Sequence, residues 1–162
     1  MVGVQGFGGS DRWLPPVRGL HSMEDLLNHL YDYETTAQPG DFSDAVEKLM
    51  MRQRRRALVV ILTNLRGEDT SELLPALRVL RSRHLPLVAS LCEQGVDQLR
   101  RVPVGDFRSA LVFGAAEGYL AERRRLLHNL GRAGVITVDA TAAELPVALA
   151  NRYLEIKRAA RL

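Results

Sequence analysis

The sequence predicts an α/β fold in a single domain spanning residues 1–162, with a parallel or mixed sheet and helices on both of its faces. Three observations lead there. The run Ala57–Leu65 (Ala-Leu-Val-Val-Ile-Leu-Thr-Asn-Leu) is short, apolar and rich in β-branched residues, as a strand buried on both faces should be. A second such run, Leu85–Leu91, and a third, Val135–Val138, follow it. Between the runs lie segments with apolar residues at helical spacing, and this alternation calls for parallel crossovers.

The elements follow in order. Met1–Phe7 alternates Val2, Val4 and Phe7 with small residues and reads as a strand, turned by Gly8-Gly9-Ser10-Asp11. Trp13–Val17 returns as an edge strand, because the pair Pro15-Pro16 is excluded from a central ladder. Ser22 is placed to cap a helix with an apolar stripe of Leu26, Leu27, Leu30 and Tyr31 through about Tyr33. A loop spans Glu34–Gly40. Asp41 then caps a helix whose Phe42, Ala45, Val46 and Leu49 face inward, with Arg52–Arg56 at its carboxyl end. After the run at 57–63, a helix carries Leu73, Leu74, Leu77 and Leu80, and the strand Leu85–Leu91 ends at Cys92. Short helical turns occupy Val96–Val102. A long helix over Asp106–Arg132 has the stripe Leu111, Ala115, Tyr119, Leu126 and Leu130, and Arg123-Arg124-Arg125 are expected on its solvated face. Gly134 ends it. Thr141 and Glu144 form a capping-box pattern for the last helix.

Composition excludes several function classes. The formal charge is +3, from 22 Lys and Arg against 19 Asp and Glu, too small to indicate nucleic acid by itself. Glu24–Glu47 holds seven acids and no Lys or Arg, which reads as a solvated acidic face. Cys92 is the single cysteine, so neither an internal disulfide nor a cysteine metal cluster is available, and a cytoplasmic location is expected. No run approaches a membrane span, and the N-terminus lacks a signal-peptide pattern. The four histidines lack zinc spacing, and no serine sits in a Gly-x-Ser-x-Gly elbow. Gly3–Ser10 lacks the Gly-Lys-Ser/Thr ending of a phosphate loop.

Several segments together resemble the von Willebrand factor A-like half of the bacterial "domain of unknown function 58" family. They are Gln53–Leu65, Leu73–Leu77, Arg83–Leu91, Leu120–Arg124 and Asn151–Lys157, with Phe7–Pro16 and Leu26–Tyr33 upstream. The resemblance implies a Rossmann-like, mostly parallel sheet that begins at the family's second strand. It also implies a partner, a MoxR-type AAA+ ATPase, and a chaperone-like or assembly role. Related A-type domains hold Mg²⁺ through an Asp-x-Ser-x-Ser loop, a Thr loop and an Asp loop, hard oxygens for a hard cation.

This chain departs from that pattern. The nearest string to Asp-x-Ser-x-Ser, Asp41-Phe42-Ser43-Asp44-Ala45, opens a helix. Asp41 or Ser43 stands in place of the loop threonine, and Asn64 stands in place of the third-loop Asp. These three are vestigial metal positions, and no bound cation or other cofactor is expected. If the family topology holds, a missing central strand leaves ladder groups to be paired. Either the neighbouring strands close up, or a second chain covers them, for example in a homodimer.

The expected function is a non-catalytic protein-interaction module, an adaptor of a MoxR-type ATPase. Strand carboxyl ends gather binding residues in open α/β sheets. Partner contact is accordingly assigned to Asp41, Ser43, Thr63, Asn64 and Arg66, beside the Cys92 loop. Two alternatives have distinct signatures. A metal-assisted hydrolase or transferase would use Asp41 and Glu68 near Asn64. A nucleic-acid binder would use Arg52–Arg56, with strongly salt-dependent affinity. No membrane contact is expected.

Overall fold

A computed structural model describes residues 1–19, 21–33, 40–65 and 70–160. It is an α/β protein that divides into two compact units, Met1–Arg54 and Arg55–Leu162. Among the described residues, no helix is long and apolar enough to cross a membrane.

The first unit is an antiparallel hairpin with two helices. Strand β1 (Val2–Gly6) pairs with β2 (Arg12–Val17). The register runs Val4↔Leu14 but Val2↔Val17, so β2 has one extra residue there. That bulge accommodates Pro15 and Pro16, which have no N–H to give the ladder. Gly3 faces it, and a Cβ at Gly3 would stand 2.8 Å from the Leu14 carbonyl oxygen. Helix α1 (Ser22–Tyr31) does not start as expected. Its cap position is His21, which makes no side-chain cap, and the Ser22 hydroxyl instead donates to the Gly19 carbonyl at 2.8 Å. Its apolar stripe faces outward: Leu27, Leu30 and Tyr31 are exposed, and of the four only Leu26 is half-buried.

Helix α2 (Phe42–Arg52) starts as predicted. The Asp41 carboxylate accepts from the backbone N–H of Ser43 and of Asp44, at 2.8 and 3.0 Å. Phe42 and Val46 are buried, and the Phe42 ring lies 5.3 Å from that of Phe7. The Gln5 amide donates to the Ala45 carbonyl at 2.8 Å, tying β1 to α2.

The second unit holds a three-stranded parallel sheet in the order β3 (Leu58–Thr63), β4 (Leu85–Leu91), β5 (Ile136–Ala140). Crossovers run through α3 (Thr70–Arg81), then α4 (Gln94–Leu99) and α5 (Phe107–Arg132). The chain closes with α6 (Leu145–Arg158). Helix α6 covers one face: Leu145 and Ile156 pack with Leu85, Leu87, Ala89, Val138 and Ala140. On the opposite face lie Val88 and Ser90, with Leu73, Leu77 and Leu80 of α3 and Leu126 and Leu130 of α5 buried. Helices on both faces agree with the sequence reading.

Two details differ from it. Strand β4 is buried throughout Leu85–Ser90, but among the described residues β3 lies at the edge of this sheet, with Val60 41% and Leu62 60% exposed. The apolar run was therefore a half-covered strand, because α6 reaches β4 and β5 and leaves these two side chains open. In α5 the buried stripe is Ala116, Arg123, Leu126 and Leu130, while Leu111 and Ala115 are exposed. The amino-terminal part of the predicted stripe was out of phase by about one residue.

Candidate functional site

The carboxyl end of the parallel sheet is built around a buried guanidinium. Register places Thr63 beside Ser90 and Ser90 beside Asp139, a polar row across three strands. Arg123 reaches this row from α5 and is only 4% exposed. It donates to the Ser90 hydroxyl, to the Leu91 carbonyl at 2.8 Å and to the Asp139 carboxylate at 2.5 Å. It also donates to the Leu65 carbonyl at 3.3 Å, just beyond β3. One side chain thus satisfies acceptors from the ends of all three strands. A buried guanidinium survives only when paired and hydrogen-bonded in this way. Its expected place on a solvated face is corrected, whereas Arg124 and Arg125 are exposed as expected.

Around this clamp sit the positions read from the sequence. Thr63 closes β3 and is half-buried. The Asn64 amide donates to the Glu93 carboxylate, linking the loops after β3 and β4. Cys92 is a free, half-buried thiol whose backbone N–H donates to the Ala140 carbonyl at 2.9 Å. Arg66 and Glu68 lie outside the described residues.

Asp41 and Ser43 belong to the first unit. There a small cleft is lined by the Gly6–Gly9 turn, Gln5, Asp11, Asp41, Asp44 and Lys48. Its acids carry structural duties. Lys48 bridges Asp44 at 2.7 Å and Asp11 at 3.5 Å, and Arg52 makes a two-pronged contact with Asp11 at 3.0 and 2.9 Å. The Arg52 hydrogen bond and charge hold the Asp11 carboxyl below its ordinary value. The Asp44 carboxylate holds the Lys48 ammonium above its own. The Arg52 guanidinium also lies over the Trp13 ring, 5.6 Å from its centroid. Asp41 spends one carboxylate oxygen on the α2 cap, and Ser43 is exposed.

Two groupings therefore emerge. Thr63 and Asn64 share the sheet edge of the second unit with Ser90, Glu93, Arg123 and Asp139; Asp41 and Ser43 line the first unit. Among the described residues, no group of three or more His, Cys, Asp or Glu is placed to hold a metal ion. Sequence reading missed Arg123 and Asp139. The signal for Arg123 was its spacing: it lies three residues before Leu126 and seven before Leu130, on their face of the helix.

The family model described as "Protein of unknown function DUF58" matches residues 1–108, two thirds of the chain. The match takes in both predicted groups of site residues and ends before Leu120–Arg124 and Asn151–Lys157. No curated protein and no solved structure matches the chain.

Proposed function

This chain belongs to the Protein of unknown function DUF58 family, and we propose that it acts as a non-catalytic protein-interaction module. In this reading it is a von Willebrand factor A-like domain of the cytoplasm and an adaptor for a MoxR-type AAA+ ATPase. The observation that carries the interaction role is the apolar surface of α1. Met23, Leu27, Leu30 and Tyr31 recur at helical spacing, and all four are exposed, Tyr31 to 92%. An apolar stripe held in water by a regular helix marks a surface made for another protein. The acidic first turn of α1, Glu24 and Asp25, gives that surface a polar rim. Asp41, Ser43, Thr63, Asn64 and Arg66 are the proposed positions for direct polar contact, without a bridging cation. The choice of ATPase as partner rests on the family resemblance.

The test uses the chain as bait in bacterial lysate, with Mg-ATP and separately with EDTA, and identifies retained proteins by mass spectrometry. An AAA+ ATPase recovered under both conditions, and lost with Leu27→Asp, is the expected result. Mg²⁺-dependent turnover that disappears in Asp41→Ala, with no retained partner, would establish the metal-assisted enzyme instead.

A further inference from the structure

We infer that the outward face of α5 is a self-association surface, along which two copies pair antiparallel about a two-fold axis. The inference is independent of the ATPase reading and concerns a different surface. Helix α5 is buried through Ala116, Arg123, Leu126 and Leu130. On its opposite side Phe107, Leu111, Gly114, Gly118, Ala121 and Arg125 follow one another in alternating steps of four and three residues. That spacing is the seam along which two helices pack. All six residues are exposed, Phe107 to 79% and Leu111 to 58%. The seam faces away from the sheet, so a strand added beside β3 would leave it open.

The glycines point to a second helix. Glycine weakens a helix interior, and nothing within the chain asks for it here: a Cβ at Gly114 or Gly118 would meet no neighbouring group within 4 Å. A helix crossing does ask for it, because the side chains at the contact set how closely the axes approach. With the two-fold axis between them, Gly114 of each copy lies against Gly118 of the other. Leu111 then covers the mate's small Ala121. Phe107 lies against the mate's Arg125, whose stem and guanidinium suit an aromatic face. The geometry leaves room for this. Phe107 stands about 24 Å of helix before Arg123, whose guanidinium marks the strand ends, so the bodies of the two copies lie at opposite ends of the contact.

Charge selects the register. Arg108 and Glu122 are exposed on one flank of the seam, and antiparallel pairing about a two-fold axis brings like flanks together. Arg108 of each copy faces Glu122 of the other, giving two ion pairs per dimer. On the other flank the Arg100 guanidinium of α4 holds Glu117, so the two copies of that acid meet already paired. A mate shifted by one heptad would also set large residues on small ones, but Glu122 would fall beyond the start of the mate's helix. A parallel mate would set Arg125 against Arg125. The interface is isologous and closes at two copies.

Sedimentation velocity across a concentration series reads the state directly, and the chain is expected as a dimer. Leu111→Glu sets a charge against Ala121 twice per dimer and is expected to weaken association at least about tenfold, with an unchanged far-ultraviolet circular dichroism spectrum. Arg108→Glu is expected to weaken it about threefold or more, and Arg108→Glu with Glu122→Arg to restore it. Cross-linking in a Cys92→Ser background reads the same register. Leu111→Cys is expected to form a disulfide with Ala121→Cys in a mixture and none with itself. A monomer up to about 100 μM, where an interface with a micromolar Kd would be filled, overturns the inference and leaves the seam to a helix of another protein. A dimer indifferent to Leu111→Glu overturns this interface. A double variant as weak as Arg108→Glu, or a Leu111→Cys chain that links to itself, overturns this register.

Discussion

Arg123 shows how much one side chain can hold. Its guanidinium is buried and fixed by Leu65, Ser90, Leu91 and Asp139, so truncation leaves a carboxylate, a hydroxyl and two carbonyls without their donor. Arg123→Ala is expected to cost about 3–5 kcal/mol in urea unfolding, as breaking a buried pair does. Arg124→Ala, on the exposed side of the same helix, is expected to cost less than about 0.5 kcal/mol. In the sequence the two residues are indistinguishable by type; only the helical phase separates them. The capping role of Asp41 was legible, since a short acid before an apolar stripe has one local use. The ion pairs of Asp11 were not, because Arg52 is 41 positions away and nothing local links them.

Those ion pairs fix a pH window. Asp11 and Asp32 are held below the ordinary carboxyl value of 3.8, chiefly by hydrogen bonds from Arg52 and Arg12. The unfolded chain therefore binds protons more readily than the folded one. Their stabilisation is complete above 3.8 and is lost as pH falls through the lowered folded values. Lys48, raised above 10.5 chiefly by its hydrogen bond to Asp44, contributes below that value and loses its contribution as pH rises through the raised one. Arg52→Met is expected to move the Asp11 titration upward while that of Asp32 stays in place. Carbon-detected NMR of the carboxyl groups reads both.

At the scale of elements, the carboxyl end of α5 shows a stop that sequence reading captures well. Gly134 adopts φ +73°, its N–H donates to the Gly131 carbonyl at 2.9 Å, and the Val135 N–H donates to the Leu130 carbonyl at 3.0 Å. Leu130 and Val135, the positions at which a helix stop of this kind places its apolar pair, are both buried. Gly134→Ala forces a side chain into the left-handed region, with its Cβ 3.0 Å from the Arg81 guanidinium. A loss of about 1–2 kcal/mol is expected from thermal unfolding. Strand burial was less legible. An apolar run of six residues has the same composition in an edge strand as in a central one, and only the neighbours that the chain brings to it decide which it is. For α1 the periodicity was legible and its direction was not: the stripe exists, and it faces water.

For the molecule as a whole, the α/β class and the order of elements followed from alternating periodicities, and the division into two units did not. Each unit uses its charged groups to hold itself together. Lys48 and Arg52 neutralise acids in the first unit, and Arg123 binds the strand ends in the second. Beside its exposed charged residues, the chain turns an apolar stripe outward on α1. A displayed apolar stripe of this kind is suited to holding a partner. The most direct measurement is a titration of the labelled chain with a purified MoxR-type AAA+ ATPase, beside the double variant Leu27→Asp/Tyr31→Ser. The account predicts saturable binding for the original chain, and a Kd raised at least about tenfold for the variant with its fold intact. Equal binding by both chains, or none by either, would contradict it.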